Sequence, residues 1–359
     1  MQIINKLFRF QKLYIFFISM VLSIIIFSTT FSHANVFKVS DIEISSSFEL
    51  NFNKNRVIDE GFQISFLNLL NMITTSGNRK KINNISIKEI KSMIDSFTIS
   101  DEKFVSNEYF AKLETTFNKK KILNFLEKKN IFPSMPRRNK VLLIPILVDI
   151  ETDNIYLFYD NVFYKEWNNN KKNYQLLDYL LPSEDLEDLT KIQGMTNSVE
   201  SYDFISLIKR YDLKDYIISI IYKNKNDLKV LSKINLNNSF KINNQKYSKI
   251  NLNNKKDFDK LLENLKTIYE DHWKENNEIN TSIKLPLTVS INSKDYEKIK
   301  KLEEEFNNMD LIADFYISKF NNKKTLYKIG YNGSTKTFLN YMSKKNFDLL
   351  MKDNVWTIK

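Results

Sequence analysis

Four carboxylates crowd into the stretch LPSEDLEDL: Glu184, Asp185, Glu187 and Asp188. Two facing carboxyl groups can cleave a glycosidic bond, one as the acid and the other as nucleophile or base, when they stand about 5–10 Å apart. Asp185 and Asp188 are the pair to nominate for that chemistry. The same letters also spell a helix start. Pro182-Ser183 followed by acids places Ser183 as the cap and the carboxylates at the positive end of the helix dipole. Acids within one helical turn splay apart rather than converge, so the helix-start reading is favoured.

Other catalytic sets lack their parts. The chain has no cysteine and two histidines, His33 and His272. His33 falls in a leader segment, which leaves one imidazole for the mature chain. A histidine–cysteine zinc site needs at least three such ligands. Serine–histidine–aspartate and cysteine–histidine catalysis are equally short of partners. No GxSxG, phosphate loop or dinucleotide fingerprint occurs, and nothing calls for a cofactor. His272, in EDHWKE on a predicted helix, reads as a surface or packing residue.

Aromatic side chains are the other candidates. KVLLIPILVDIETDNIYLFYDNVFYKEW runs from an apolar stretch to Tyr156, Phe158, Tyr159, Phe163, Tyr164 and Trp167. Tyr159, Phe163 and Trp167 could line a site for a small ligand. Aromatics at strand and helix spacing more often fill a core, so the patch is expected to bury itself.

These residues must be placed by the elements around them. Ile42 and Ile44 share a face and open a strand. Ile58, Phe62, Phe66, Leu69, Leu70 and Ile73 recur at helical spacing, with an end expected at Ser76-Gly77, where glycine can take the left-handed cap. A second helix is expected at 86–97, a strand at 108–117 and a short helix at 119–129. The two prolines of PSMPRRNK mark a linker. Residues 141–148 are apolar on both faces, as in a covered central strand, and Pro145 implies a bulge or an unpaired edge there. Residues 155–159 read as a strand or extended turn, and 163–167 begin a helix. A helix is expected at 201–211. An apolar strand at 216–222 and the alternating Leu228, Val230, Ser232, Ile234 and Leu236 form a hairpin across KNKND. Phe258, Leu261, Leu262, Leu265, Ile268 and Tyr269 mark a long helix. The last stretch reads as strand 285–291, a helix capped by Ser293, strands at Phe315-Ile317 and 327–331, a helix capped by Ser334, and a final strand at 355–358. That order is β-α-β-β-α-β, the ferredoxin-like plan.

Lys6, Arg9 and Lys12 precede an apolar run at 13–27, and Ser32 and Ala34 occupy small-residue positions. This is the anatomy of a signal peptide at 1–34, cut after Ala34. The apolar run is shorter than a membrane span requires. An exported chain with no cysteine has no disulfide staples and must rely on packed cores. Its 359 residues, 42% hydrophobic and 13% aromatic, suffice for two or three of them. The net charge is +11, but the lysines are interleaved with acids rather than concentrated, which argues against a nucleic-acid partner.

RRNKVLLIPILVDIETDNIYLFYDNVFYKEW, LLPSEDLEDL and RYDLKDYIISIIYKN, taken in order, resemble a family of exported Gram-negative proteins, domain of unknown function 2066. The shared features are a signal peptide, a helix-rich opening, a proline-bearing strand after arginine, a tryptophan segment and an acidic Pro-x-x-Asp turn, here Pro182 to Asp185. GYNGSTKTFLNYMSKKNFDLLMKDNVWTIK also resembles that family's ending. The middle unit is similar in pattern to the α/β domain preceding the propeller of the Tol–Pal periplasmic protein, and to the middle domain of the flagellar H-ring assembly protein. Propeller repeats and a basal-body signature are missing. The resemblance implies a periplasmic, non-catalytic interaction module and supplies no site residues.

The expectation is an α+β chain of three small units, at 35–132, 140–280 and 283–359, the last ferredoxin-like. It would act as a periplasmic envelope scaffold touching envelope proteins through sheet edges and unit junctions, with no cofactor and no membrane span after cleavage. A carboxylate-dependent glycan or peptidoglycan enzyme and a binder of a small envelope ligand are the alternatives.

Overall fold

The computed structural model describes residues 37–82, 84–169, 171–195 and 198–359; the leader and the Ala34 cleavage position lie outside them. Helices and three sheets make an α+β chain.

The first sheet is antiparallel, in the order β1 (Lys38–Ser47), β3 (Glu108–Phe117), β2 (Ile94–Val105). Helix α1 (Lys54–Ile73) starts where the Asn53 side chain accepts the Asn55 and Arg56 N–H groups. It lays Phe62, Phe66, Leu69 and Ile73 into the core. Gly61 permits this approach, since a Cβ there would stand 2.7 Å from Leu113 Cδ2 and 2.9 Å from Ile44 Cγ2. Gly77 does not take a left-handed cap. It sits inside a four-residue helix, α2 (Ser76–Arg79), after a cap at Thr74. The helix expected at 86–97 is only α3 (Ile87–Ser92), and the chain turns into β2 two residues later. Helix α4 (Lys119–Glu127) closes this core with Ile122 and Leu126.

The central sheet has six strands, β4 (Asn139–Asp149), β5 (Asn154–Tyr156), β6 (Leu177–Leu180), β7 (Tyr216–Asn224), β8 (Asp227–Leu236) and β9 (Ser239–Tyr247). Strands β6, β4 and β7 run parallel; β5, β8 and β9 are antiparallel to their neighbours. On one flank of β4, β6 pairs its start and β5 its end, and Pro145 lies in the gap between them. Pairing with β7 on the other flank runs through Pro145 without a shift. Its carbonyl accepts from buried Asn161 Nδ2 at 3.0 Å on the gap side, so the missing N–H interrupts no ladder.

Both faces of β4 are buried. Val141, Leu143 and Leu147 face Phe163 and Trp167, at and just after α5 (Val162–Glu166), and the long α8 (Lys255–Glu275). Leu142, Ile144, Ile146 and Val148 face α6 (Leu186–Gln193), a 3₁₀ turn at Val199–Ser201 and α7 (Ile205–Lys209). The helix expected at 201–211 is therefore one 3₁₀ turn and five helical residues.

The third sheet contains β10 (Leu285–Asn292), β11 (Ile312–Phe320), β12 (Lys324–Tyr331), β13 (Leu349–Lys352) and β14 (Val355–Ile358), ordered β11-β12-β10-β14-β13. Helix α9 (Tyr296–Asn308) is capped by Asp295 rather than Ser293, whose hydroxyl bonds Thr325 instead; α10 (Thr335–Lys344) is capped by Ser334. β10 and β11 are parallel with β12 between them. β12 and β13 are parallel with β10 and β14 between them. The split-βαβ plan thus carries one further strand: β14 turns back from β13 and inserts beside β10, which makes the sheet mixed.

Backbone and side-chain hydrogen bonds tie the segments carrying the three sheets together. The PSMPRRNK segment is pinned by Ser134 N donating to Ile73 O at 2.8 Å and by Ile279 N donating to Pro133 O at 2.8 Å. From α8, Lys274 Nζ donates to Asn71 O at 2.6 Å, and Asp271 accepts the Ser76 N–H at 2.9 Å. Arg137 reaches Asp310, just before β11, at 3.0 Å.

Candidate functional site

Asp185 and Asp188 converge, but on a cation. Asp185 is the N-cap of α6, its Oδ1 accepting the Asp188 N–H at 3.0 Å, so the cap lies two residues beyond Ser183. Its Oδ2 takes Arg210 Nη1 at 3.1 Å, and the buried Asp188 carboxylate takes Arg210 Nη2. One guanidinium therefore holds both acids and ties the start of α6 to the end of α7. Glu187 points outward and pairs with Lys191 on the next turn. Sequence spacing could not show this: Arg210 lies 22 residues from Asp188.

The aromatic trio is divided. Phe163 and Trp167 are fully buried in the core under α8, where Trp167 stacks on Tyr269 at 6.0 Å. Tyr159 is 61% exposed on the other side and meets Tyr164. The three do not line one site. His272 is buried on α8, its Nε2 within 3.3 Å of Asn276 Nδ2, and burial lowers its basicity. Among the described residues no group of three or more histidine, aspartate or glutamate side chains could hold a metal ion, and no helix is long and apolar enough to cross a membrane.

The surface that stands out is the outer half of the central sheet. α8 covers one face of β7 and β8, with Tyr269 OH bonded to Ser219 and Ser232 on those strands. The helical layer on the opposite face reaches Leu231 of β8; no described β9 residue belongs to that core. Phe240 and Ile242 of β9 are left 58% and 55% exposed, with Asn244 and Lys246 exposed beyond them.

β9 also differs from the other sheet edges. An extra residue breaks the register of β1 once, of β2 twice and of β11 twice. β13 has four residues, β6 four and β5 three. Bulges and shortness are how proteins prevent foreign strands from adding to an edge. β9 has nine residues and pairs with β8 without a shift. The Asn237-Asn238 turn has positive φ at both positions, 51° and 61°, which makes it type I′. Such a turn closes on a hydrogen-bonded pair, here Leu236–Ser239, and bonded pairs then alternate. Phe240, Ile242, Asn244 and Lys246 therefore aim their N–H and C=O groups at the open edge. Sequence reading passed over β9, although an Asn-Asn turn followed by alternating Phe240 and Ile242 is a hairpin signal.

Beside β9, at the carboxyl ends of parallel β4 and β7, lies a groove of about 800 Å³ lined by Val148, Glu200, Tyr222, Asn224, Lys229 and Lys246, among others. Burial and the bond to Glu200 push the Tyr222 hydroxyl up. Lys229 lies over the Tyr222 ring at 5.8 Å, and Lys233 Nζ donates to Glu200 O at 2.5 Å. Crevices at the carboxyl ends of parallel strands are the usual ligand position in open α/β sheets.

No family model matches the chain, and no curated protein matches it.

Proposed function

We propose that the protein is a non-catalytic interaction protein of the cell envelope that takes an extended segment of another protein along β9. The observation that carries this reading is the contrast among edges: β9 is long, regular and uncovered, while β1, β2 and β11 are bulged and β5, β6 and β13 are short. Strand addition draws affinity from the main chain and specificity from alternate side-chain contacts. The periplasmic address rests on the leader-like N-terminus and on the motif order similar to exported proteins. The reading is supported further by Arg210, which holds both Asp185 and Asp188, the pair nominated for carboxylate chemistry.

A photoreactive side chain at Asn244 of the full chain, in the cells that make it, tests this. A cross-linked partner is expected, and Ile242→Pro should cut its yield about tenfold or more, as loss of one well-placed hydrogen bond can. The proline removes an edge-facing N–H without touching the β8 ladder. An unchanged yield would contradict strand addition. The second reading, a small ligand, is favoured by the groove itself, whose volume is that of a ligand site. Such binding would be indifferent to Ile242→Pro.

A further inference from the structure

We infer that the segment taken by β9 is acidic at its groove end and apolar at the other, and that Lys229 and Lys246 select it. This rests on the proposed strand addition. Lys229 and Lys246 are direct cross-strand partners on the face that the helical layer leaves open. They form a non-hydrogen-bonded pair by the alternation from the turn, the kind in which side chains stand closer. Like charges so placed repel. Among the described residues neither ammonium has an ion pair or hydrogen bond; Lys229 has only the Tyr222 ring. Of the three carboxylates lining the groove, Glu200 accepts from the Tyr222 hydroxyl and Asp227 from the Lys249 N–H at 3.2 Å, while the Asp153 carboxylate has no bond among the described residues, and none of the three lies within ion-pair distance of Lys229 or Lys246. The site therefore holds two ammonium groups with no ion-pair partner beside an open edge. Two turns of the pleat away, Phe240 and Ile242 offer apolar contact on the same face.

Charge also selects among occupants. The β9 strand of a second copy, SFKINNQKY, contains two lysines and no acid, so self-pairing would bring the lysines no counter-charge. Residues 1–36 contain Lys6, Arg9 and Lys12 and no acid, and would bring none either. The occupant that fits is an extended partner-protein segment with apolar side chains beside Phe240 and Ile242. Its carboxylates lie two to four residues further along, beside Lys246 and Lys229.

The test uses the Asn244 photo-cross-link in the full chain, with the captured peptide mapped by mass spectrometry. The mapped segment should carry acids at alternate positions. Lys229→Glu with Lys246→Glu should lower the yield about tenfold or more, and Lys319→Glu with Lys336→Glu should leave it unchanged. Lys229→Gln with Lys246→Gln is the milder pair should charge reversal disturb folding. Capture of a segment without acids, of a second copy's β9 or of residues 1–36 would overturn the inference. So would a yield indifferent to both lysine pairs. An absent cross-link, or one that survives Ile242→Pro, would instead remove the strand-addition reading beneath it.

Discussion

Lys229 on β8 and Lys246 on β9 stand directly opposite each other on an open sheet face, with no ion-pair partner among the described residues. A sheet optimised for stability alone would not place them so, because like charges in this position are destabilising. Lys246→Glu converts the pair to opposite charges. It should raise stability by about 0.5 kcal/mol in urea unfolding at low salt, while weakening capture at β9. A substitution that stabilises the fold and impairs the site marks a cost accepted for binding. A loss of stability would mean that another group already balances the pair.

Arg210 gives a contrasting case, in which charge serves the fold. It holds Asp185 at 3.1 Å and the buried Asp188. Arg210→Ala should cost about 2 kcal/mol, since it strands a buried carboxylate. Adding Asp188→Asn should recover part of that loss, so the double-mutant cycle is non-additive. Additive losses would separate Arg210 from Asp188 and reopen the acid pair to other roles.

Tyr269 predicts an alkaline limit. Burial pushes its hydroxyl from 10.0 up to about 12, although Ser219 and Ser232 act in the opposite direction. Between those values the folded chain keeps a proton that the unfolded chain has released. Stability must then fall as pH rises from 10 through 12. Tyr269→Phe should cost about 1–2 kcal/mol at neutral pH through two lost hydrogen bonds. Its stability should decline less steeply above pH 10 than that of the unaltered protein. Parallel curves would show that Tyr269 does not titrate in that window.

Much of this architecture is legible in the sequence, wherever one face of an element is buried. Strand 108–117 alternates because Tyr109, Ala111, Leu113, Thr115 and Phe117 face α1, and α8 shows its helical stripe for the same reason. The middle strand at 141–148 is apolar throughout because it is covered on both sides. β2 and β9 lack that signature. Most β2 side chains are exposed, so the Ser86 cap and the first apolar spacing suggest a helix that in fact ends at Ser92. β9 has no face in a deep core and so shows little apolar alternation, and its place at the end of the sheet order is what leaves its edge free to pair. The Asp188–Arg210 bond and the Lys229–Lys246 opposition are tertiary relationships. The first depends on how α6 and α7 pack, the second on the register set by the Asn237-Asn238 turn. The strand at 355–358 is legible, but the short β13 before it is not, and which side of β13 the chain returns on is not encoded in Val355–Ile358 alone.

Residue-resolved hydrogen exchange of β9, free and with the captured segment, tests the central claim most directly. In the free protein the amides of Phe240, Ile242, Asn244 and Lys246 should exchange fast and those of Lys241, Asn243 and Gln245 slowly; the segment should then slow the first four. Protection of all seven in the free protein, or binding that leaves the first four fast, would contradict an open edge that works by accepting a strand.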